Sequence, residues 1–281
     1  MNTPSIYKTP DGEQIIMGIY DAVIARWPVL YSEITLPTRH GDTFIIASGD
    51  ENAPPVFLLH GSASNATAWI ADVEVLSRHF LVYAVDIPGK PGRSAHNRPT
   101  MDSPAYAEWM EDVLDGLHLE KASLMGISQG GWTALKFAIT CPQRVEKLVL
   151  LTPGGILQPK ASFLLKAIPL SFFGQWGAER ITRITFGKEP ISEEAVEIMN
   201  AIMTHFNARI EPQPLYTDAE LARLTMPVLM IGGTQDALLP TQKIAARLEE
   251  HLPQVTTLLL PDKGHVLINL TDKTIPFLLD G

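Results

Sequence analysis

The chain has 281 residues, 46% of them hydrophobic and 19% charged, a globular balance with material for a core that needs no disulfide or metal to hold it. Its 22 basic and 31 acidic side chains leave a net charge of −9, which excludes the broad basic surface that nucleic acid demands. The single cysteine, Cys141, fits a reducing compartment, and neither a signal-peptide pattern nor a run of ~20 apolar residues is present, so the expectation is a cytoplasmic protein with no membrane partner.

Ile15, Ile16, Ile19, Tyr20, Val23, Ile24 and Trp27 recur at spacings of one, three and four, which predicts an amphipathic helix over 12–27 that Pro28 ends. Two strands, 31–37 and 42–48, follow as a hairpin about Gly41. From there the pattern alternates between short apolar strands, Gly/Pro-rich loops and helices. The strands are 56–59, 81–85, 122–125, 148–151, 228–231 and 256–260, and their unbroken apolar runs are those of strands covered on both faces. The clearest helix begins at Ser103-Pro104, a cap followed by proline in the first turn, and is expected to bury Tyr106, Trp109, Met110, Val113, Leu114 and Leu117. This order predicts an α/β fold with a mostly parallel central sheet and helices on both faces.

The alternation breaks once, over 155–224, where the chain is helical in character and carries Leu164, Leu165, Phe172, Phe173, Trp176, Phe186, Met199, Met203 and Phe206. A solvated loop would not hold so many apolar side chains. We therefore expect a core of 1–154 and 225–281 with a helical cap over 155–224. The cap's leucines, phenylalanines and Trp176 are expected to select an apolar acyl or alcohol group. The Met199/Met203/Phe206 stripe is read as packing that also serves the site if it faces inward, and His205 and Arg209 as a solvated helix face.

Gly126-Ile127-Ser128-Gln129-Gly130 joins an apolar strand to a helix. In that context Gly-x-Ser-x-Gly places a serine on a sharp, strained turn, with its hydroxyl pushed outward and a helix N-terminus aimed at the reaction site. A serine hydroxyl needs a base, and the base an orienting acid. His265 and Asp236 each follow a predicted strand and so emerge at the strand-end edge where Ser128 emerges and where open α/β sheets bind ligands. Asp262 is the rival acid but lies too near His265 in the chain to reach the far ring nitrogen. His60 is the rival histidine, and its imidazole is assigned to holding its own loop. The tetrahedral intermediate of acyl transfer needs backbone N–H donors. Gln129 N–H supplies one and Ser62 N–H, after His60-Gly61, the second, with Ala63 as the alternative. No two histidines lie within five residues, so a local metal motif is absent, and this chemistry calls for neither metal nor cofactor.

These residues resemble the α/β-hydrolase family, in the branch with a His-Gly-x oxyanion loop, and are similar to its bacterial carboxylesterase-like members. The resemblance runs through His60-Gly61-Ser62, Asp86-Ile87-Pro88-Gly89, the Ser128 turn, the stretch from Cys141-Pro142 to Val149-Leu150, Asp236, and Gly264-His265. Chain order Ser, Asp, His is the family's. The loop Asp86–Ser94 is one residue longer than the common form, and the His-Gly-Gly-Gly loop of another esterase branch is absent. The resemblance implies a serine hydrolase acting on a small-molecule ester through an acyl-enzyme. The same triad also serves C–C bond hydrolysis and acyl transfer, and the same fold can bind a ligand without turnover. The sequence specifies no oligomeric state.

Overall fold

The computed structural model describes residues 5–187, 192–209 and 211–280. Eight strands, β1 (Tyr31–Leu36), β2 (Thr43–Ser48), β3 (Pro55–Leu59), β4 (Leu81–Val85), β5 (Ala122–Ile127), β6 (Val145–Leu151), β7 (Val228–Gly233) and β8 (Val255–Leu260), form one sheet in the order β1-β2-β4-β3-β5-β6-β7-β8. The β1–β2 and β2–β4 pairs are antiparallel and all others parallel. The β1–β2 hairpin turns at Gly41, whose φ of +99° is left-handed and whose missing side chain leaves room for Ala95.

Successive residues of each central strand face opposite cores. Phe57, Leu59, Leu124, Leu148, Leu150, Val228 and Met230 pack on one face with α3 (Ala105–Gly116), α4 (Gln129–Thr140) and α9 (Thr241–His251). Val56, Leu58, Met125, Val149, Leu151, Leu229 and Ile231 pack on the other with α1 (Pro10–Ile24), α2 (Ile70–Leu76) and α10 (Thr271–Leu279). That two-sided burial is why these strands read as unbroken apolar runs. β8 departs from the expectation: it is an edge strand and only partly buried.

The first helix starts at Pro10, two residues before the predicted start, because Thr9 caps it by accepting the Gly12 N–H at 3.0 Å. It ends at Ile24, and Trp27 lies past its end, buried, donating its indole N–H to Ser48 Oγ at 3.0 Å. In α3, Pro104 takes the cap position and Ser103 precedes it, its Oγ accepting the Ala105 N–H; Leu117 is only partly buried.

Between β6 and β7 lie four helices, α5 (Ala161–Leu170), α6 (Gly174–Phe186), α7 (Glu193–His205) and α8 (Asp218–Leu221), and no strand among the described residues. α7 packs on α1 and α6. Ile6, Tyr7, Ile16, Ile202 and Phe206 form a small third core that ties the N-terminal segment to α7, reinforced by a β-bridge between Tyr7 and Phe206.

Candidate active site

β5 passes into α4 through Ser128, whose φ of +51° and ψ of −107° are strained for a residue with a side chain. The flanking glycines make this turn possible. A Cβ on Gly126 would sit 2.5 Å from the Gly130 carbonyl, and one on Gly130 would sit 2.0 Å from Leu59 O. The start of α4 is therefore pressed against the end of β3, beside the His60-Gly61-Ser62 loop. The Ser128 N–H donates to Leu151 O at 2.9 Å and Gly154 N–H to Ser128 O at 3.0 Å, so the turn is pinned to the end of β6.

The structure brings Ser128, His265 and Asp236 together. His265 Nε2 lies 3.1 Å from Ser128 Oγ, and His265 Nδ1 lies 2.8 Å from Asp236 Oδ2. Asp236 is buried at the end of β7, and its other oxygen, Oδ1, accepts the Leu238 and Leu239 N–H groups at 2.7 and 2.8 Å. The carboxylate is thus fixed with Oδ2 left for the imidazole. With Nδ1–H given to Asp236, Nε2 presents its lone pair to the serine hydroxyl. The histidine backbone is held as firmly: its N–H donates to Thr185 O of α6 at 3.1 Å, and its carbonyl accepts the Thr152 hydroxyl at 3.1 Å. A Cβ on Gly233 would meet Lys263 O at 2.2 Å, which is how closely the loops after β7 and β8 approach. Asp262 makes no contact with the imidazole; its backbone, at φ +60°, donates to Thr234.

Gln129 follows Ser128 directly, and Ser62 and Ala63 line the same cavity as Ser128 and His265. Among the described residues nothing accepts the Ser62 or Gln129 N–H. His60 is fully buried, with Nε2 accepting the Ile87 N–H at 3.1 Å and Nδ1 donating to Gly61 O at 2.8 Å. Burial pushes it down to about 3, so it is neutral, and its two bonds hold the loop that begins at Gly61.

Two features had no signal in the chain beyond the lengthened Asp86–Ser94 loop. Asp86 is buried inside that loop, where it accepts the Ala66 and Arg93 N–H groups at 2.7 Å each and the Tyr20 hydroxyl at 2.9 Å. Lys90, from the same loop, is buried and reaches Gln129 Oε1 at 2.5 Å. Burial pushes its ammonium down to about 7, with Arg98 and Arg209 adding repulsion. Lys90 thereby fixes the side chain of the residue that carries one candidate oxyanion donor.

The cavity above Ser128 has a volume of about 780 Å³ and largely apolar walls, among them Met125, Phe186, Ile198, Met199, Ile202 and Leu267. This corrects the expected lining. Leu164, Leu165, Phe172, Phe173 and Trp176 lie outside the cavity and are exposed, Phe172 by 82%. Leu164 and Leu165 sit on α5, whose apolar residues surround the helix and so select no inward face, Phe172 and Phe173 on the turn after it, and Trp176 at the start of α6. Of the methionine stripe, Met199 lines the cavity, while Met203 Sδ accepts the Thr182 hydroxyl and Phe206 is core. His205 and Arg209 are not a solvated face. His205 packs against Gly12, and Arg209 bonds Pro99 O, Arg98 O and the Tyr106 hydroxyl.

A family model described as "Alpha/beta hydrolase family" matches residues 56–274. Carboxylesterase YbfK of Bacillus subtilis (strain 168) is 30% identical over 258 residues, covering 88% of this chain and 86% of that protein. The crystal structure of carboxylesterase CesB (YbfK) from B. subtilis superposes with a TM-score of 0.84 at 28% identity, covering 96% of this chain and 99% of that one. The naproxen esterase (carboxylesterase NP) from B. subtilis also gives 0.84, at 26% identity and 96% coverage of both chains.

Proposed function

The chain belongs to the alpha/beta hydrolase family, and from that premise we propose that it is a serine carboxylesterase whose triad is Ser128, His265 and Asp236. The observation that carries the reading is the continuous hydrogen-bonded line from Ser128 Oγ through the imidazole to Asp236, opening into a largely apolar cavity. The similarity to carboxylesterases over most of both chains supports the same bond type.

In this mechanism His265 Nε2 takes the Ser128 proton as Oγ attacks the ester carbonyl. The negative charge passes to the carbonyl oxygen, held by the Gln129 N–H and the Ser62 N–H, or that of Ala63. Asp236 orients the ring and stabilises its cationic form. The tetrahedral intermediate collapses, His265 gives its proton to the departing alkoxide, and an acyl-Ser128 ester remains. Water, deprotonated by His265, repeats the sequence and releases the acid. No step needs a cofactor.

Residues 155–224 act as a cap on a core of 1–154 and 225–281, supported by the placement of Phe186, Ile198, Met199 and Ile202 in the cavity wall and by the Thr185 carbonyl on His265. A cavity of about 780 Å³ suits a small to medium, largely apolar ester. The enzyme acts in the cytoplasm, a reading supported by the one unpaired cysteine; among the described residues no helix is long and apolar enough to cross a membrane. The test is hydrolysis of p-nitrophenyl esters from acetate to laurate beside purified Ser128→Ala. Turnover with a chain-length optimum that disappears in the variant is expected. Folded wild-type protein that hydrolyses none of them would overturn the proposal.

A further inference from the structure

The segment expected to line the pocket turns a continuous apolar surface outward instead. Of the large apolar side chains exposed among the described residues, half fall within residues 164–176. Leu165, Ile168 and Phe172 stand three and four residues apart along α5 and into the turn Ser171–Phe173, so they form one stripe; Leu165 is 77% exposed and Phe172 82%. Phe173 and Trp176 extend it, their rings meeting edge-on at 5.8 Å. Soluble chains rarely leave so large a contiguous apolar patch uncovered without a use for it. Nor is this a loop free to fold inward. A Cβ on Gly177 would lie 1.8 Å from Leu170 O, so α6 and the end of α5 are in main-chain contact. At the start of α5, Lys160 Nζ donates to Asp236 O at 2.5 Å and Lys160 N–H to Leu238 O at 2.8 Å. Near the end of α6, Thr185 O holds the His265 N–H. The patch is therefore fixed relative to the site.

Charge and shape say what covers it. Residues 160–186 carry four basic side chains and one acid, in a chain whose net charge is −9. Lys160 is turned inward, but Lys166, Arg180 and Arg183 are exposed and have no ion-pair partner among the described residues. Trp176, Arg180 and Arg183 share one face of α6, with the Arg180 guanidinium 5.1 Å from the Trp176 ring centre. Apolar and aromatic tips thus stand beside free cations. The turn protrudes: a Cβ on Gly174, between Phe173 and Trp176, would find nothing within 4 Å. A second copy docking through the same patch would set protruding tip on tip and cation on cation. A bilayer accepts such a tip, with phenylalanine and leucine below the headgroups, tryptophan at their level and cations against anionic phosphates. We propose that α5, the turn Ser171–Phe173 and the Trp176–Arg183 face of α6 form a docking surface for an anionic lipid bilayer. Resting on a bilayer in this way requires no helix that crosses it.

The test uses the full chain and the tryptophan fluorescence it already has. Trp27, Trp69, Trp109 and Trp132 are buried, which leaves Trp176 as the one exposed tryptophan of five. Vesicles of phosphatidylcholine with about one-third phosphatidylglycerol are expected to shift its emission to the blue and to co-sediment with the protein, at least tenfold more tightly than pure phosphatidylcholine. Phe172→Ser with Phe173→Ser is expected to abolish the shift, and Lys166→Gln with Arg180→Gln and Arg183→Gln to weaken binding at least tenfold. Arg78→Gln with Lys121→Gln and Lys273→Gln makes the same change in net charge elsewhere on the surface and is expected to leave binding as in wild type. Thermal unfolding of each variant confirms that it is folded. Wild type that ignores anionic vesicles, or binds them no better than the patch variants do, overturns the proposal. So does a dimer in sedimentation velocity that depends on Phe172 and Phe173 while vesicles go unbound. None of these readings involves turnover, so failure of the esterase reading would leave the docking surface standing.

Discussion

Replacing Gly130 by alanine tests the packing that builds the Ser128 turn. The added Cβ would lie 2.0 Å from Leu59 O, 2.5 Å from Leu59 C and 2.6 Å from His60 O. An ordinary carbon–oxygen contact is about 3.3 Å or more, so α4 and the end of β3 must separate by roughly 1 Å. The obstructing atoms are main chain, and β3 is fixed between β4 and β5, so no side chain can swing away. Overpacking of this kind costs about 3 kcal/mol or more, at the upper end of the usual range. For a chain of this size that corresponds to a fall in Tm of roughly 6–12 °C. The same movement displaces the loop that begins at His60, and a 1 Å misplacement near the chemistry can cost about 100-fold in turnover. Urea unfolding and p-nitrophenyl butyrate hydrolysis measure the two effects. A variant within about 0.5 kcal/mol of wild type and within twofold in kcat would refute the argument that contact between β3 and α4 sets both.

Gly18→Ala carries the opposite sign: it lies inside α1 with nothing within 4 Å of its added Cβ, so a gain of about 0.5–1 kcal/mol is expected on urea unfolding. Asp236→Asn keeps the shape and removes the charge that sets the histidine tautomer, so kcat is expected to fall about 10⁴-fold, and a near-normal rate would exclude Asp236 from the triad. Lys90→Met should change how stability varies with pH. The folded lysine titrates near 7 against an ordinary 10.5, so between those values the unfolded chain binds more protons and wild-type stability rises with pH. Methionine has no such dependence. Its stability relative to wild type is therefore expected to drop by about 2 kcal/mol from pH 7 to pH 9; a constant difference would show that Lys90 titrates normally.

The meeting of Ser128, Asp236 and His265 was legible because each follows an apolar strand, and parallel strands in one sheet deliver the residues after them to one edge. Ser128, Asp236 and His265 needed only that rule. His60 was legible as a structural residue for the same reason, since a loop immediately after a strand has backbone groups to satisfy. The cavity wall was legible only at Phe186 and Met199. α5 offers Leu164, Leu165 and Ile168 in a helix apolar on several sides, so periodicity could not tell an inward face from an exposed one. Lys90 escaped notice because a lysine in a Gly-Pro-rich loop reads as surface; only its packing against Gln129 gives it a role.

The cavity wall also shows a division of labour along the chain. Most of its lining comes from residues 61–72, from Phe186 and residues 192–202, and from residues 265–274, with Val23 and Arg26 beside them and Met125, Ile127 and Leu151 from the sheet at its floor, while Ser128 and Asp236 are locked by main-chain bonds at the ends of β5 and β7. Ser128 and His265 belong to both groups. Substitutions at Val23, Ile198, Met199 or Ile268 can therefore reshape what the pocket admits while leaving the hydrogen-bonded line of Ser128, His265 and Asp236 untouched. A library built for altered selectivity belongs at those positions, where variation is combinatorial across independent segments, and its members would inherit an intact Ser128 turn.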